Sequence, residues 1–206
     1  MLDKILGDHP DIQRLQTNAA RFLARLGFTP NFATLIAVAT GILAGMTFAD
    51  GNAGLGILLL AISATMDALD GAIARESARP TLRGGVSDLV ADRLVESAVI
   101  IGIAWPYPIL YLPALLLVAS WYVNITVFLA VGAALERRGP KLIEYPPGIL
   151  ERTEALLFFA VLGAIMSIGF LRPAGPILCY AMTALELATG AQRFLFGWRS
   201  LDQEPP

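Results

Sequence analysis

The sequence predicts an all-α fold: an integral membrane bundle of six transmembrane helices with an N-terminal amphipathic surface helix. Three observations point there. Of the 206 residues, 56% are hydrophobic and only 16% charged, whereas a soluble domain is about 45–50% apolar and about 25% charged; mean hydropathy is +0.64. The apolar residues are gathered into six runs near the length of about 20 residues that crosses a bilayer. The cations collect on one side of those runs.

The same composition excludes several kinds of function. Fifteen Lys and Arg stand against 17 Asp and Glu, a net charge of −2, so no basic surface invites nucleic acid. The single cysteine, Cys179, rules out a disulfide framework and a multi-thiolate metal site. The single histidine, His9, precedes every apolar run, which leaves no basis for histidine catalysis or a His-rich metal site. Chemistry therefore falls to carboxylates, arginines, hydroxyls and backbone.

Residues 1–28 read as an amphipathic juxtamembrane helix. Ile12, Leu15, Ala19, Phe22, Leu23 and Leu26 recur at helical spacing with Arg14, Arg21 and Arg25 between them, the pattern of a helix lying in the interface. The segment lacks the short apolar core and small-residue cleavage site of a signal peptide. The expected spans are 32–49, 53–74, 86–105, 108–134, 150–171 and 174–196. Asp50-Gly51-Asn52, Trp105-Pro106-Tyr107-Pro108 and Arg172-Pro173 punctuate them, and polar stretches 75–85 and 136–149 follow the second and fourth. A six-helix domain over 29–200 and a disordered tail at 201–206 complete the expected organisation.

Orientation follows from the positive-inside rule. Lys4, Arg14, Arg21 and Arg25, then Arg75, Arg79 and Arg83, then Arg137, Arg138 and Lys141, then Arg193 and Arg199 fall on one side. Only Arg172 lies in a loop on the other. Both termini and both long loops are thus expected in the cytoplasm, with Trp105, Tyr107 and Tyr111 as an aromatic belt on the far side.

Against this apolar background stand four acids. Asp67 and Asp70 fall near the cytoplasmic end of the second span, Asp88 and Asp92 near the cytoplasmic start of the third. Acids within a span cost on the order of 2.5–3.5 kcal/mol each and are usually functional. Spacings of three and four put each pair on one helix face, and a short connection makes the two helices antiparallel neighbours, so all four can converge. Four like charges in a low-dielectric cleft need a counter-charge. Mg²⁺ or Mn²⁺ takes carboxylate oxygens, and two ions with four carboxylates are close to neutral. A carboxylate-held metal pair at a membrane surface suggests phosphoryl or pyrophosphate chemistry. Gly71 and Gly84 allow close approach of a helix or phosphate, and Arg75 adds a fixed cation. Buried ion pairing with Arg75, Arg79, Arg83 or Arg93 is the purely structural alternative.

Written out, the run is Asp67-x2-Asp70-Gly71-x2-Ala74-Arg75-x8-Gly84-x3-Asp88-x3-Asp92, eight fixed positions in 26 residues. It resembles the signature of the CDP-alcohol phosphotransferases at every position. The resemblance implies that Asp67, Asp70 and Asp88 bind metal, that Asp92 completes the second metal site, and that Asp92 is the general base. It implies donor contacts from Gly71, Ala74, Arg75 and Gly84, from Thr81 in the connecting loop, and from Thr29-Pro30-Asn31-Phe32 at the cytidine pocket. By themselves, Thr29-Pro30-Asn31 read as a turn and helix start. The implied reaction moves a phosphatidyl group from CDP-diacylglycerol to a hydroxyl acceptor and releases CMP; the implied assembly is a homodimer. Gly41 and Gly45 offer small-xxx-small spacing for close packing.

The acceptor is less determined. Leu150-Glu151-Arg152-Thr153-Glu154 looks like the segment that the inositol-phosphate-using branch places at the acceptor phosphate, and Gln192-Arg193 looks like a second such position. Arg152 and Arg193 either clamp a phosphate or snorkel from helix ends. That branch also carries a Lys-x-Arg pair late in the fourth span, and 128–135 here contains no cation. Leu89 follows the third aspartate where the glycerol-phosphate branch usually has Pro, and Arg93-Leu94-Val95-Glu96 departs from the serine-using branch. Inositol phosphate and glycerol 3-phosphate both remain open. Glu96, one turn past Asp92, reads first as a partner for Arg93. A transporter with an acidic ion path would spread its charges through the membrane depth or show an inverted repeat, and this sequence does neither.

Overall fold

The computed structural model describes residues 10–77, 82–136 and 152–202. All regular structure among them is helical. We number the α-helices α1 (Pro10–Arg25), α2 (Pro30–Ala49), α3 (Ala53–Ser77), α4 (Leu82–Ala104), α5 (Tyr111–Glu136), α6 (Arg152–Ser167) and α7 (Ala174–Asp202). Short 3-10 turns at Pro108–Leu110 and Gly169–Leu171 lead into α5 and α7.

Local chemistry sets these boundaries. Thr29 caps α2: its hydroxyl accepts from the Phe32 N–H at 3.2 Å while Pro30 occupies the first turn. Asp50-Gly51-Asn52 closes the α2–α3 turn, with Gly51 at φ +79, a conformation that favours glycine. The Asn52 side chain then accepts from the Leu55 N–H at 3.1 Å and starts α3. Trp105-Pro106 stops α4. There the Tyr111 hydroxyl donates to the Trp105 carbonyl at 3.1 Å, and the Arg172 guanidinium stacks 5.0 Å from the Tyr107 ring centroid. These aromatics gather at one end of the bundle, and the four aspartates lie toward the other.

Among the described residues, three helices are long and apolar enough to cross a membrane: Pro30–Ala49, Ala53–Glu76 and Pro108–Leu135. The remaining helices explain why six was expected and only three stand out. α4 carries Arg83, Asp88, Asp92, Arg93 and Glu96, and α6 has 16 residues, about 24 Å at 1.5 Å per residue against about 30 Å of hydrocarbon. The polar stretch 75–85 is also less of a loop than its composition suggests. α3 runs through Arg75 to Ser77 and α4 begins at Leu82, because a charged helix end in water keeps its backbone hydrogen bonds at little cost.

The packing has one organising feature. α2 lies against both α3 and α4, whereas α3 and α4 barely touch each other. The expectation that the two acidic helices are direct neighbours is corrected accordingly. Glycines make the α2–α4 contact close: a methyl group on Gly45 would run into the Ala98 carbonyl, one on Gly102 into the Gly45 backbone, and one on Gly41 into Val95 and Ser63. The Ser63 hydroxyl, on α3, donates to the Ala37 carbonyl of α2 at 2.7 Å. α5 and α7 form a second extensive pair, and α6 joins the two groups. One apolar core runs through Phe48, Val99, Ile103, Leu117, Phe159 and Leu162. A second, around Ala20, Ala33, Leu69, Ala72 and Ile73, fastens α1 to α2 and α3. Arg21 reinforces it with an ion pair to Glu76 at 3.0 Å, which raises the Arg21 pKa.

Gly45→Leu should force α2 from α4 and destabilise the bundle by about 1–3 kcal/mol or more, read as an earlier thermal transition in detergent. An exposed control on the same helix, Leu43→Ala, should shift it far less. Equal transitions for the two variants would show that the α2–α4 approach is not tight.

Candidate active site

The acidic centre is built across the gap that α2 maintains. Asp67 and Asp70 project from α3, and Asp88 from α4. Their carboxylates each bring one oxygen within 4.8 Å of the others. Asp70 is buried and the other two half-buried. Two oxygens on opposite sides of one Mg²⁺, each at about 2.1 Å, stand about 4.2 Å apart. The three carboxylates therefore need only small side-chain movements to share an ion, and hard oxygen donors are the right chemistry for Mg²⁺ or Mn²⁺.

Asp92 lies one turn along α4, half-buried and outside this trio. Its Oδ2 is 3.9 Å from Arg93 Nη2. The same guanidinium pairs with Glu96 at 2.8 Å, the structural pairing read from the sequence.

The structure adds a residue that the sequence reading missed. The Thr34 hydroxyl of α2 donates to Asp70 Oδ2 at 2.5 Å and lies 3.1 Å from the Pro30 carbonyl. Thr34 thus fixes one acidic side chain of α3 to α2. Its place one turn after Pro30 was legible in the sequence, but its partner, 36 positions away, was not.

The other expected positions are distributed as follows. Gly71 leaves open space beside Asp70; a methyl group there would meet nothing nearer than Arg75 Nη1 at 3.5 Å. Arg75 is exposed and folds back toward that opening, and Ala74 is half-buried. Gly84 lies in the first turn of α4. Pro30 is half-buried; Thr29, Asn31 and Phe32 are exposed at the start of α2, with Phe32 edge-on to Phe28 at 5.1 Å. Thr81 lies outside the described residues, as does the Arg152 side chain, although Arg152 begins α6.

A cavity of about 170 Å³ opens on the neighbouring face of α4. Leu89, Arg93 and Glu96 line it from α4, Trp121, Asn124, Ile125 and Phe128 from α5, Ala155 from α6, and Glu186 and Arg193 from α7. Ala155 is one turn from Arg152, so both acceptor candidates belong to elements that reach this cavity. Arg193 lies over the Phe128 ring at 5.4 Å and donates to Asn124 Oδ1 at 3.0 Å. Asn124 and Glu186 were not singled out from sequence, though a polar side chain in an apolar span is itself a signal.

A helical membrane bundle with a three-carboxylate centre beside a polar cavity defines a class: membrane enzymes that handle phosphate through oxygen-bound metal. The chain belongs to the CDP-alcohol phosphatidyltransferase family, whose profile matches residues 28–191. It is thus a transferase of substituted phosphate groups, in a family that depends on divalent metal. It is 29% identical over 192 residues to the phosphatidylinositol phosphate synthase of Mycobacterium marinum, covering 91% of this chain and 81% of that one. To the protein of the same name from Mycobacteroides abscessus it is 34% identical over 154 residues, covering 73% and 68%. A stretch of 104 residues is 38% identical to the archaetidylinositol phosphate synthase of Pyrococcus horikoshii, spanning 50% of this chain and 54% of that relative. The fold matches the crystal structure of Mycobacterium tuberculosis phosphatidylinositol phosphate synthase with CDP-DAG bound, at TM-score 0.76 and 24% identity over 93% of this chain and 98% of that one. The same protein in complex with manganese and citrate matches at TM-score 0.75 and 24% identity, covering 92% and 93%.

Thr34→Val keeps the shape of the side chain and removes the hydrogen bond to Asp70. It should weaken Mn²⁺ binding by about 10–100-fold, measured by metal titration of the purified protein. An unchanged midpoint would show that Asp70 is positioned without it.

Proposed function

We propose that this protein transfers the phosphatidyl group of CDP-diacylglycerol to a phosphorylated polyol, inositol phosphate, releasing CMP in phospholipid biosynthesis. The observation that carries the reading is the shared reach of Asp67, Asp70 and Asp88 within a chain of this family. The choice of acceptor is supported by the names of the relatives and by the cavity beside the acidic centre, with Arg193 in its wall. The missing cation in 128–135 keeps glycerol 3-phosphate as the competing acceptor, and both belong in the test.

Asp67, Asp70 and Asp88 would hold the metal, with Asp92 completing a second ion's site. When bound, divalent ions neutralise the donor's pyrophosphate and ease the departure of CMP. The residues of the chain do the rest. Gly71, Ala74, Arg75, Thr81, Gly84 and the Thr29–Phe32 segment receive the donor's nucleotide and phosphates. Asp92 accepts the proton of the acceptor hydroxyl. The hydroxyl oxygen then forms its bond to the β-phosphorus as the bond from that phosphorus to the CMP oxygen breaks, and the proton passes from Asp92 to water. Arg152 and Arg193 hold the acceptor's phosphate.

In the same reading, residues 29–200 form six spans, 1–28 rest on the bilayer surface, and both termini and the centre face the cytoplasm. The cation distribution supports that orientation, and α4, α6 and α7 cross the bilayer within the bundle. A lipid-tailed donor then reaches the centre from the membrane and a soluble acceptor from the cytosol. The family resemblance supports a homodimer.

The test is CMP release by purified protein from CDP-diacylglycerol and Mg²⁺, with inositol phosphate, glycerol 3-phosphate, serine or inositol offered separately. Release with inositol phosphate alone is expected, abolished by EDTA and restored by Mg²⁺ or Mn²⁺. Preference for glycerol 3-phosphate would replace the acceptor; no release with any would end the reading. Asp92→Asn should lower turnover by about 10²–10⁴-fold with donor binding retained. Near-normal turnover would remove Asp92 as the base.

A further inference from the structure

A guanidinium inside a helical bundle serves a ligand only if something fixes its direction. The two arginines that line the cavity differ in this respect. Arg93 makes a direct ion pair with Glu96 at 2.8 Å. Arg193 Nη1 donates to a neutral amide oxygen, Asn124 Oδ1, at 3.0 Å. Behind that amide, Asn124 Nδ2 donates to Glu186 Oε2 at 2.6 Å. Asn124 is 7% exposed and Glu186 6%, so both are built into the protein rather than decorating its surface.

We propose that Asn124 and Glu186 are positioning residues that aim Arg193 at the phosphate of the acceptor. The inference rests on the acceptor reading above and goes one step behind it, to what makes Arg193 competent.

The chemistry admits one arrangement. An arginine only donates, so the amide oxygen is the one atom of Asn124 that can meet it. The amide thus turns its oxygen to Arg193 and its NH₂ to Glu186. Glu186 therefore sets the direction of Asn124, and Asn124 sets the direction of Arg193. Glu186 and Arg193 lie seven residues apart on α7, two helical turns, so the Asn124 side chain from α5 bridges them along one face. The Phe128 ring under the guanidinium at 5.4 Å restricts it to a plane, as cation–π contacts do. The arrangement also meets a need in the sequence: 128–135 supplies no cation, so the one on α7 must be well placed.

The test measures binding of inositol 1-phosphate and of unphosphorylated inositol by calorimetry in detergent, together with steady-state kinetics. Asn124→Leu and Glu186→Leu should each raise the KM and Kd for inositol phosphate by about tenfold or more. Turnover at saturating acceptor, the donor KM and the affinity for inositol should stay within about twofold. Glu186→Gln keeps an acceptor for the amide and should rescue most of the loss. Should Asn124→Leu fail to fold, Asn124→Ser, too short to span both partners, should give the same rise. Equal losses for inositol and inositol phosphate, or a wild-type Kd in Asn124→Leu or Asn124→Ser, would overturn the relay. Arg193→Gln separates the two levels. If it leaves inositol phosphate binding intact, the acceptor reading of Arg193 falls and the relay with it. If it weakens binding where the Asn124 variants do not, only the relay falls. Should wild-type protein use glycerol 3-phosphate instead, that ligand replaces inositol phosphate throughout, with glycerol as the unphosphorylated control.

Discussion

Carboxylates that share a low-dielectric space without a cation repel one another and lose solvation, and the rest of this structure is arranged around that constraint. Asp67 and Asp70 come from one helix and Asp88 from another, yet those helices barely touch. The space between their backbones is kept by α2, against which both pack. The glycines of α2 and α4 serve the same end from the opposite direction. They bring α4 close enough to α2 that Asp88 reaches across to the α3 pair. Thr34 then ties the shared helix to the acids themselves.

The polar groups deeper in the bundle obey a related rule, since each buried carboxylate must find donors. Glu96 finds them in Arg93, and Glu186 in Asn124. These are different solutions. A direct pair joins acid and arginine on one helix, whereas an intervening amide from α5 links Glu186 to Arg193 on the cavity wall. Asp92 lies beside the first kind of pair, with its Oδ2 3.9 Å from Arg93. The acid proposed as base thus stands next to a cation on the cavity wall.

Much of this was legible in the sequence, for identifiable reasons. The acids stood out because they interrupt apolar runs, and spacings of three and four survive folding unchanged within a helix. The Thr29 cap, the Asp50–Asn52 turn and the Trp105–Pro108 break depend on local chemistry and lie where local chemistry places them. What the sequence concealed depends on contacts between distant residues. Thr34 and Asp70 are 36 positions apart, and Asn124 and Glu186 are 62. No periodicity reveals such partners. The inference that helices joined by a short connection must pack together failed for the same reason: chain proximity limits distance, but the glycine surface of α2 decided which helix each one touches.

The position of α4 follows from these contacts and links the two halves of the proposed reaction. Asp88 and Asp92 are four residues apart and share one helix face; Leu89 and Arg93, each one residue later, share the face turned about 100° from it. The first face looks to the acidic centre and the second lines the cavity. A donor held at the centre and an acceptor held in the cavity would therefore approach from the two sides of a single helix edge. Asp92 stands at that edge, next in sequence to Arg93. A proton acceptor is useful only where the two substrates meet, and in the proposed reaction the edge of α4 is that place.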